Sequence, residues 1–256
     1  MRHFHREILS AFPPGYQYDY LNAEVLLTRM SVKEGRLVLP HGMSYRVLVL
    51  PASSDRLTRP VVEKLRDLIA AGATVLAPRP KDSPGLGGYP AGDAAIRAIA
   101  DEVWGEIDGE KITRHAYGRG AVFWGVTVQE LLTTIGVVPD LIANAPGGAD
   151  SVAWTHRRLG DTDLYFIANR QAAAQELDAL FRVDGKVAEF WHPDTGRIEP
   201  AAYRLENGQT RVPVRLDPHG SVFVVVRDKA AQPSRTLPVT EKTVLTTLPG
   251  PWALRF

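Results

Sequence analysis

Tyr45-Arg46-Val47-Leu48-Val49-Leu50-Pro51, the segment 60–71, and Gly72-Ala73-Thr74-Val75-Leu76-Ala77 together decide the fold of the first half of this chain. The first is a continuous apolar run, the pattern of a strand covered on both faces. The second puts Val61, Val62, Leu65, Leu68 and Ile69 on one helical face, with Thr58 as N-cap and Gly72 as the stop. The third is another buried strand. Strand, helix, glycine, strand is the sequence form of a right-handed βαβ unit, so a parallel sheet is expected here.

Upstream, Phe12-Pro13-Pro14-Gly15 cannot continue a helix or strand and reads as a joint. A short helix is expected over 22–30, capped by Asn22 or Asp19, then a strand over 35–40 closed by a turn at His41-Gly42. Downstream, the Pro- and Gly-rich 81–92 is a loop, 93–104 a helix, 112–116 and 120–124 a strand pair, and 128–135 a short helix. Residues 139–142 then lead to a loop over 144–148. This half reads as an α/β domain of flavodoxin-like or class I amidotransferase-like type.

After Gly148 the pattern changes. Short strands recur about every ten residues, over 152–158, 164–168, 179–183, 188–191, 201–205, 211–216 and 221–226, each bounded by turn residues. Asn207-Gly208 is the strongest hairpin signal and Asp184-Gly185 a second. Such spacing predicts a small antiparallel β-sandwich. The expected division is therefore a leader over 1–17, the α/β domain over 18–149, the β-sandwich over 150–228, and a linker with the start of a further, truncated domain over 229–256.

The 256 residues are 45% apolar and 23% charged, the balance of a globular chain able to bury a core without staples. A formal net charge of +1 gives no electrostatic footprint for nucleic acid. The absence of cysteine excludes disulfides, thiolate metal sites and cysteine nucleophiles. Residues 1–10 lack the apolar stretch of a signal peptide, and no segment approaches the ~20 apolar residues of a membrane span. The compartment is not fixed by these features.

Catalytic signatures are sparse. The α/β half would suit an amidotransferase-like hydrolase, but no cysteine and no G-x-S-x-G elbow exist; Ser53 and Ser54 follow a strand end as ordinary loop residues. Gly85-Leu86-Gly87-Gly88 is a surface loop, since Pro90 stands where the dinucleotide fingerprint needs glycine. The seven histidines show no metal-ligand spacing, although His3 and His5 could meet on one side of a strand; neither a metal nor a cofactor is expected. Asp161 and Asp163 fall in a turn, the acidic residues between 101 and 110 on a solvated helix end, and Glu189 beside Phe190-Trp191 in a sandwich strand. None has the context of a catalytic carboxylate. Catalytic residues are therefore left unassigned.

Two stretches remain. In Thr155-His156-Arg157-Arg158, one or two side chains must point into the sandwich or towards a neighbour. Arginine can fork to a carboxylate and histidine can donate to a sugar hydroxyl, so His156 and Arg157 are the candidate substrate-binding residues, with a structural ion pair as the competing role. In Phe190-Trp191-His192-Pro193-Asp194, the aromatic pair reads as core or interface packing, or as a platform for stacking a sugar.

Three blocks carry a family resemblance: Pro14-Gly15-Tyr16-Gln17-Tyr18-Asp19-Tyr20-Leu21-Asn22-Ala23-Glu24; the strand and turn 39–51; and His156-Arg157-Arg158 with 163–169 and Phe190-Trp191-His192-Pro193-Asp194-Thr195-Gly196. Together they resemble the region behind the catalytic barrel in bacterial α-L-rhamnosidases of glycoside hydrolase family 106. Leu248-Pro249-Gly250-Pro251-Trp252 resembles the lead-in to the next β-sandwich of such enzymes. The resemblance implies a much longer enzyme of inverting type, usually exported. Its acid and base carboxylates and metal-assisted sugar binding reside in an N-terminal barrel, and none of those motifs matches here. This chain is then expected to be a non-catalytic segment that buttresses the barrel and lends a loop, near His41 or Ser53-Ser54-Asp55, to the sugar pocket. Its partners would be the rest of that enzyme and carbohydrate, with neither nucleic acid nor membrane. The alternative is a stand-alone carbohydrate-binding or assembly module.

Overall fold

The computed structural model describes residues 12–238, 244–253 and 255. His3 and His5 lie outside them. The chain forms two compact units, Met1–Asp140 and Leu141–Phe256.

In the first unit, helix α1 (Ala23–Arg29) is started by Asn22, whose side-chain oxygen accepts a hydrogen bond from the Val25 N–H at 2.9 Å. Strands β1 (Ser31–Lys33), β2 (Arg36–Val38) and β3 (Ser44–Tyr45) form an antiparallel sheet. The chain continues through β4 (Val47–Val49), α2 (Arg59–Ala70), β5 (Thr74–Leu76), α3 (Ala91–Trp104), β6 (Arg114–Tyr117), β7 (Gly120–Phe123) and α4 (Val128–Thr134). A second sheet has the order β4-β5-β7-β6, with β4, β5 and β7 parallel and β6 antiparallel to β7.

The apolar run 45–51, expected as one strand, is two. Tyr45 pairs with Leu37 in the antiparallel sheet, the chain bends at Arg46, and Val47 pairs with Thr74 in the parallel one. Both halves are apolar, so only backbone pairing separates them. On one side of the parallel strands, Val61, Val62, Leu65, Leu68 and Ile69 of α2 share a core with Val75, Val122, Ile96 and Trp104. Each such side chain contributes about 1.5–3 kcal/mol on burial. Trp104 also donates its indole N–H to the Ala77 carbonyl at 3.1 Å, which satisfies a polar group inside that core. On the other side Leu76, Ala121 and Phe123 pack against Val128, Leu131 and Leu132 of α4. That helix starts from a capping box between Thr127 and Glu130.

The second unit holds β8 (Leu141–Asn144), β9 (Val152–Leu159), β10 (Thr162–Asn169), β11 (Gln175–Phe181), β12 (Lys186–Trp191), β13 (Ile198–Pro200), β14 (Tyr203–Glu206), β15 (Gln209–Leu216), β16 (Ser221–Lys229) and β17 (Ser234–Arg235). They form two antiparallel five-stranded sheets, β13-β12-β16-β10-β9 and β17-β14-β15-β11-β8. Tyr165, Val222 and Val224 from the first and Phe181, Val212 and Val214 from the second meet in one core. Asn207-Gly208 turns β14 into β15 with both residues at positive φ, as a tight hairpin requires. Asp184-Gly185 is not a hairpin: it carries the chain from β11 in one sheet to β12 in the other. The segment at 141–144 pairs with β11 through Leu141 and Phe181, and thus belongs with the all-β unit.

Candidate functional site

Open α/β sheets present ligand contacts at the carboxyl ends of their parallel strands. There, the loop after β4 is strapped to the loop after β5. The Lys81 N–H donates to the Asp55 carbonyl at 2.8 Å and the Leu57 N–H to the Asp82 carbonyl at 3.1 Å. Lys81 Nζ lies 2.9 Å from Asp55 Oδ2, and Arg56 Nε 3.2 Å from Asp82 Oδ1. The Lys81 hydrogen bond holds the Asp55 carboxyl below the usual range. Ser53 is exposed on this strap. His41 is exposed at the β2–β3 turn, where the Gly42 N–H donates to the Leu39 carbonyl at 3.0 Å and Gly42 takes a φ of +96°. These loops offer hydroxyls, an imidazole and paired charges to solvent.

In the second unit, alternation along β9 sends His156 and Arg157 to opposite faces. His156 pairs across the strand with Tyr165 and stacks on its ring, with centroids 4.0 Å apart and planes inclined by 10°. Its Nε2 lies 3.1 Å from Asp163 Oδ1, while Lys186 Nζ lies 3.1 Å from Asp163 Oδ2. Lys186 also donates to the Asp161 carbonyl. Burial pushes the Asp163 carboxyl up, but the hydrogen bonds from His156 and Lys186 outweigh it and hold it below the usual range. Sequence reasoning singled out His156 without its partners, because Asp163 looked like part of a turn and Lys186 lies on a strand of another hairpin. Arg157 is exposed and donates to the His156 carbonyl at 2.8 Å and to Thr155 Oγ1 at 3.3 Å. The structure thus gives the two residues separate surroundings.

Period-two alternation also parts Phe190 from Trp191. Phe190 packs against the core of the all-β unit. Trp191 lies on the outer face, where its Nε1 donates to Glu189 Oε2 at 3.0 Å. Arg227 donates to the two oxygens of Glu189 at 3.1 and 3.4 Å and sets its guanidinium carbon 5.3 Å from the Trp191 ring centroid. His192 Nε2 lies 2.8 Å from Glu199, with Arg197 beside the same carboxylate at 3.2 Å.

Other carboxylates serve the backbone or pair with cations. Asp108 Oδ1 accepts from the N–H groups of Glu110, Lys111 and Ile112, and those bonds lower its proton affinity. Asp101 pairs with Arg79, and Glu102 accepts from the Tyr117 hydroxyl. Glu130 is held low by the Thr127 N–H, and Glu206 by Arg211. Among the described residues no group of three or more His, Asp or Glu side chains is close enough to hold a metal ion. The described residues do not form the metal site that the resemblance implies for the barrel, and no chemical step here runs through one.

A family model described as alpha-L-rhamnosidase, glycoside hydrolase 106, matches residues 1–205. A rhamnosidase from Novosphingobium sp. PP1Y superposes with a TM-score of 0.83 at 33% identity, over 91% of this chain and 22% of that one. A protein named putative beta-glucuronidase, from Formosa agariphila, is 30% identical over 223 residues, which are 86% of this chain and 18% of that protein. The chain therefore spans about a fifth of the length of these relatives.

Proposed function

The chain belongs to the glycoside hydrolase 106 family of α-L-rhamnosidases, and we propose that it serves as a non-catalytic segment of such an enzyme, buttressing the barrel in which the sugar is cleaved. The observation that carries this reading is that the chain spans about a fifth of the length of its relatives, and the carboxylates whose proton affinity is shifted agree with it. A glycosidase acid must keep its proton until it meets the leaving group, so its environment raises its proton affinity by burial or by a neighbouring carboxylate. Asp55, Asp108, Glu130, Asp163 and Glu206 are all shifted the other way, by lysine, arginine, histidine or backbone N–H groups. Groups tuned like this stay ionised and hold structure together.

In this reading the parallel strands with helices on both faces form a flavodoxin-like domain, and the two five-stranded sheets form a β-sandwich. The strap at Ser53-Ser54-Asp55, on which Ser53 is exposed, or the turn at His41 would reach the rim of the sugar pocket. Arg157, with its exposed guanidinium, is the better placed of the two residues singled out on β9 to meet a sugar. His156 instead positions Asp163.

Producing the barrel of the parent gene with and without this segment tests the buttress role. The barrel is expected to be soluble and active on aryl α-L-rhamnosides only with the segment attached. A barrel equally soluble and active without it would overturn the proposal.

A further inference from the structure

Antiparallel sheets with one solvated face alternate apolar and polar residues. The sheet β17-β14-β15-β11-β8 obeys this rule: Glu176 stands opposite Arg215 on its outer face, and Asp178 pairs with Arg211. The other sheet does not. Leu164-Tyr165-Phe166-Ile167-Ala168 on β10 and Val222-Phe223-Val224-Val225-Val226 on β16 are apolar on both sides. Register places Ile198, Trp191, Phe223 and Phe166 in one row across four adjacent strands of its outer face, with Val225 and Leu164 in the next row between Glu189 and Arg157. Ile198 is exposed, Trp191, Phe223, Phe166 and Leu164 are half-buried, and Val225 is buried. The Phe166 and Phe223 rings lie 4.9 Å apart. Continuous apolar strands are the signature of a sheet meant to be covered twice.

We propose that this outer face is the surface through which the segment docks on an apolar protein surface in the remainder of its glycoside hydrolase, an inference that rests on the segment reading above. Two observations choose this occupant. A sugar site needs an open aromatic face beside polar groups that still seek partners. Here Arg227 covers one side of Trp191, and the indole N–H, Glu189 and Arg227 already satisfy one another. The size of the face also argues against a second copy. The four apolar strands, spaced ~4.8 Å apart and ~20 Å long, present about 400 Å², so a contact buries about 800 Å² in all, with Arg157 of the edge strand β9 outside it. That suits an interface between domains of one chain, and falls short of what a stable complex of two chains usually needs. In both relatives this segment is about a fifth of a much longer polypeptide, which supplies the remainder.

The test is the double variant Phe166→Lys/Phe223→Glu. The new charges stand directly opposite each other across β10 and β16 and can pair, so the sheet should persist. Melting of the isolated chain is expected to fall by less than about 10 °C, because both rings are only half-buried and lose little beyond their contact with each other. A fall of 10 °C or more would show that the face is filled from within the chain and overturn the proposal. The same double variant is then placed in the full-length parent enzyme, and release of the segment by limited proteolysis is followed. The wild-type segment is expected to be released slowly, the double variant at least tenfold faster, and a control, Glu176→Gln/Arg215→Gln on the opposite sheet, as wild type. Equal release from the double variant would sink the docking face and leave the segment reading standing. Full activity of the enzyme once the segment has been released would sink the segment reading. A wild-type dimer dissolved by the same double variant would assign the face to a second copy, against the proposal.

Discussion

Replacing Asp163 with Asn keeps the volume of the side chain and removes its charge. The Asp163 side chain is 8% exposed, and its partners His156 and Lys186 are 18% and 22% exposed. Breaking a fully buried ion pair from one side costs about 3–5 kcal/mol, because the remaining charge is left uncompensated. Residual solvent at Lys186 and His156 reduces this to about 2–3 kcal/mol. At roughly 4–5 °C per kcal/mol for a domain of this size, the all-β unit should melt about 10 °C lower at pH 7. The pH dependence follows from the lowered folded proton affinity of Asp163. Its contribution is complete above the ordinary aspartate value of 3.8 and is lost as pH falls through the lower folded value. Differential scanning fluorimetry of wild type and Asp163→Asn between pH 7 and pH 2.5 should therefore show a gap in melting temperature that is constant at neutral pH and narrows below about pH 4. A gap under 2 °C at pH 7, or one that widens on acidification, would refute the reasoning.

Asn169, 3% exposed, donates to the carbonyls of Ala173 at 2.8 Å and Asp217 at 2.9 Å and accepts from the Gln171 N–H. Asn169→Ala should cost about 2–4 kcal/mol in urea unfolding, because it leaves those backbone groups without partners. Thr127→Ala breaks the capping box of α4 and should cost about 1 kcal/mol by the same measurement. At Gly125, φ is +81° and an added Cβ would fall 1.8 Å from the Gly109 carbonyl oxygen, a backbone atom that cannot swing aside. Gly125→Ala should therefore lower the yield of soluble chain or its stability by ~3 kcal/mol or more, read by circular dichroism melts.

The sequence made the helices legible because their apolar residues recur on one face: α2 and α3 were expected within two residues of where they lie. The split of 45–51 was hidden because hydropathy is the same on both sides of Arg46 and only distant partners, Leu37 and Thr74, distinguish the halves. Edge strands were hard for a different reason. Ile198–Pro200 carries a proline at its end and Ser234–Arg235 spans two residues, so neither shows the alternation that marks a strand. At the candidate sites, alternation alone indicated that one side chain of the His156-Arg157 pair turns inward. It could not supply Lys186, which reaches Asp163 from β12 across the fold of the second unit.

The central claim is that sugar cleavage is not performed by this chain. It is tested most directly by incubating the purified 256-residue chain, at stoichiometric concentration, with an aryl α-L-rhamnoside and following release of the phenol. Release is predicted to match that in buffer alone. Phenol production that co-elutes with the chain and disappears on replacing one of its own carboxylates would contradict the account.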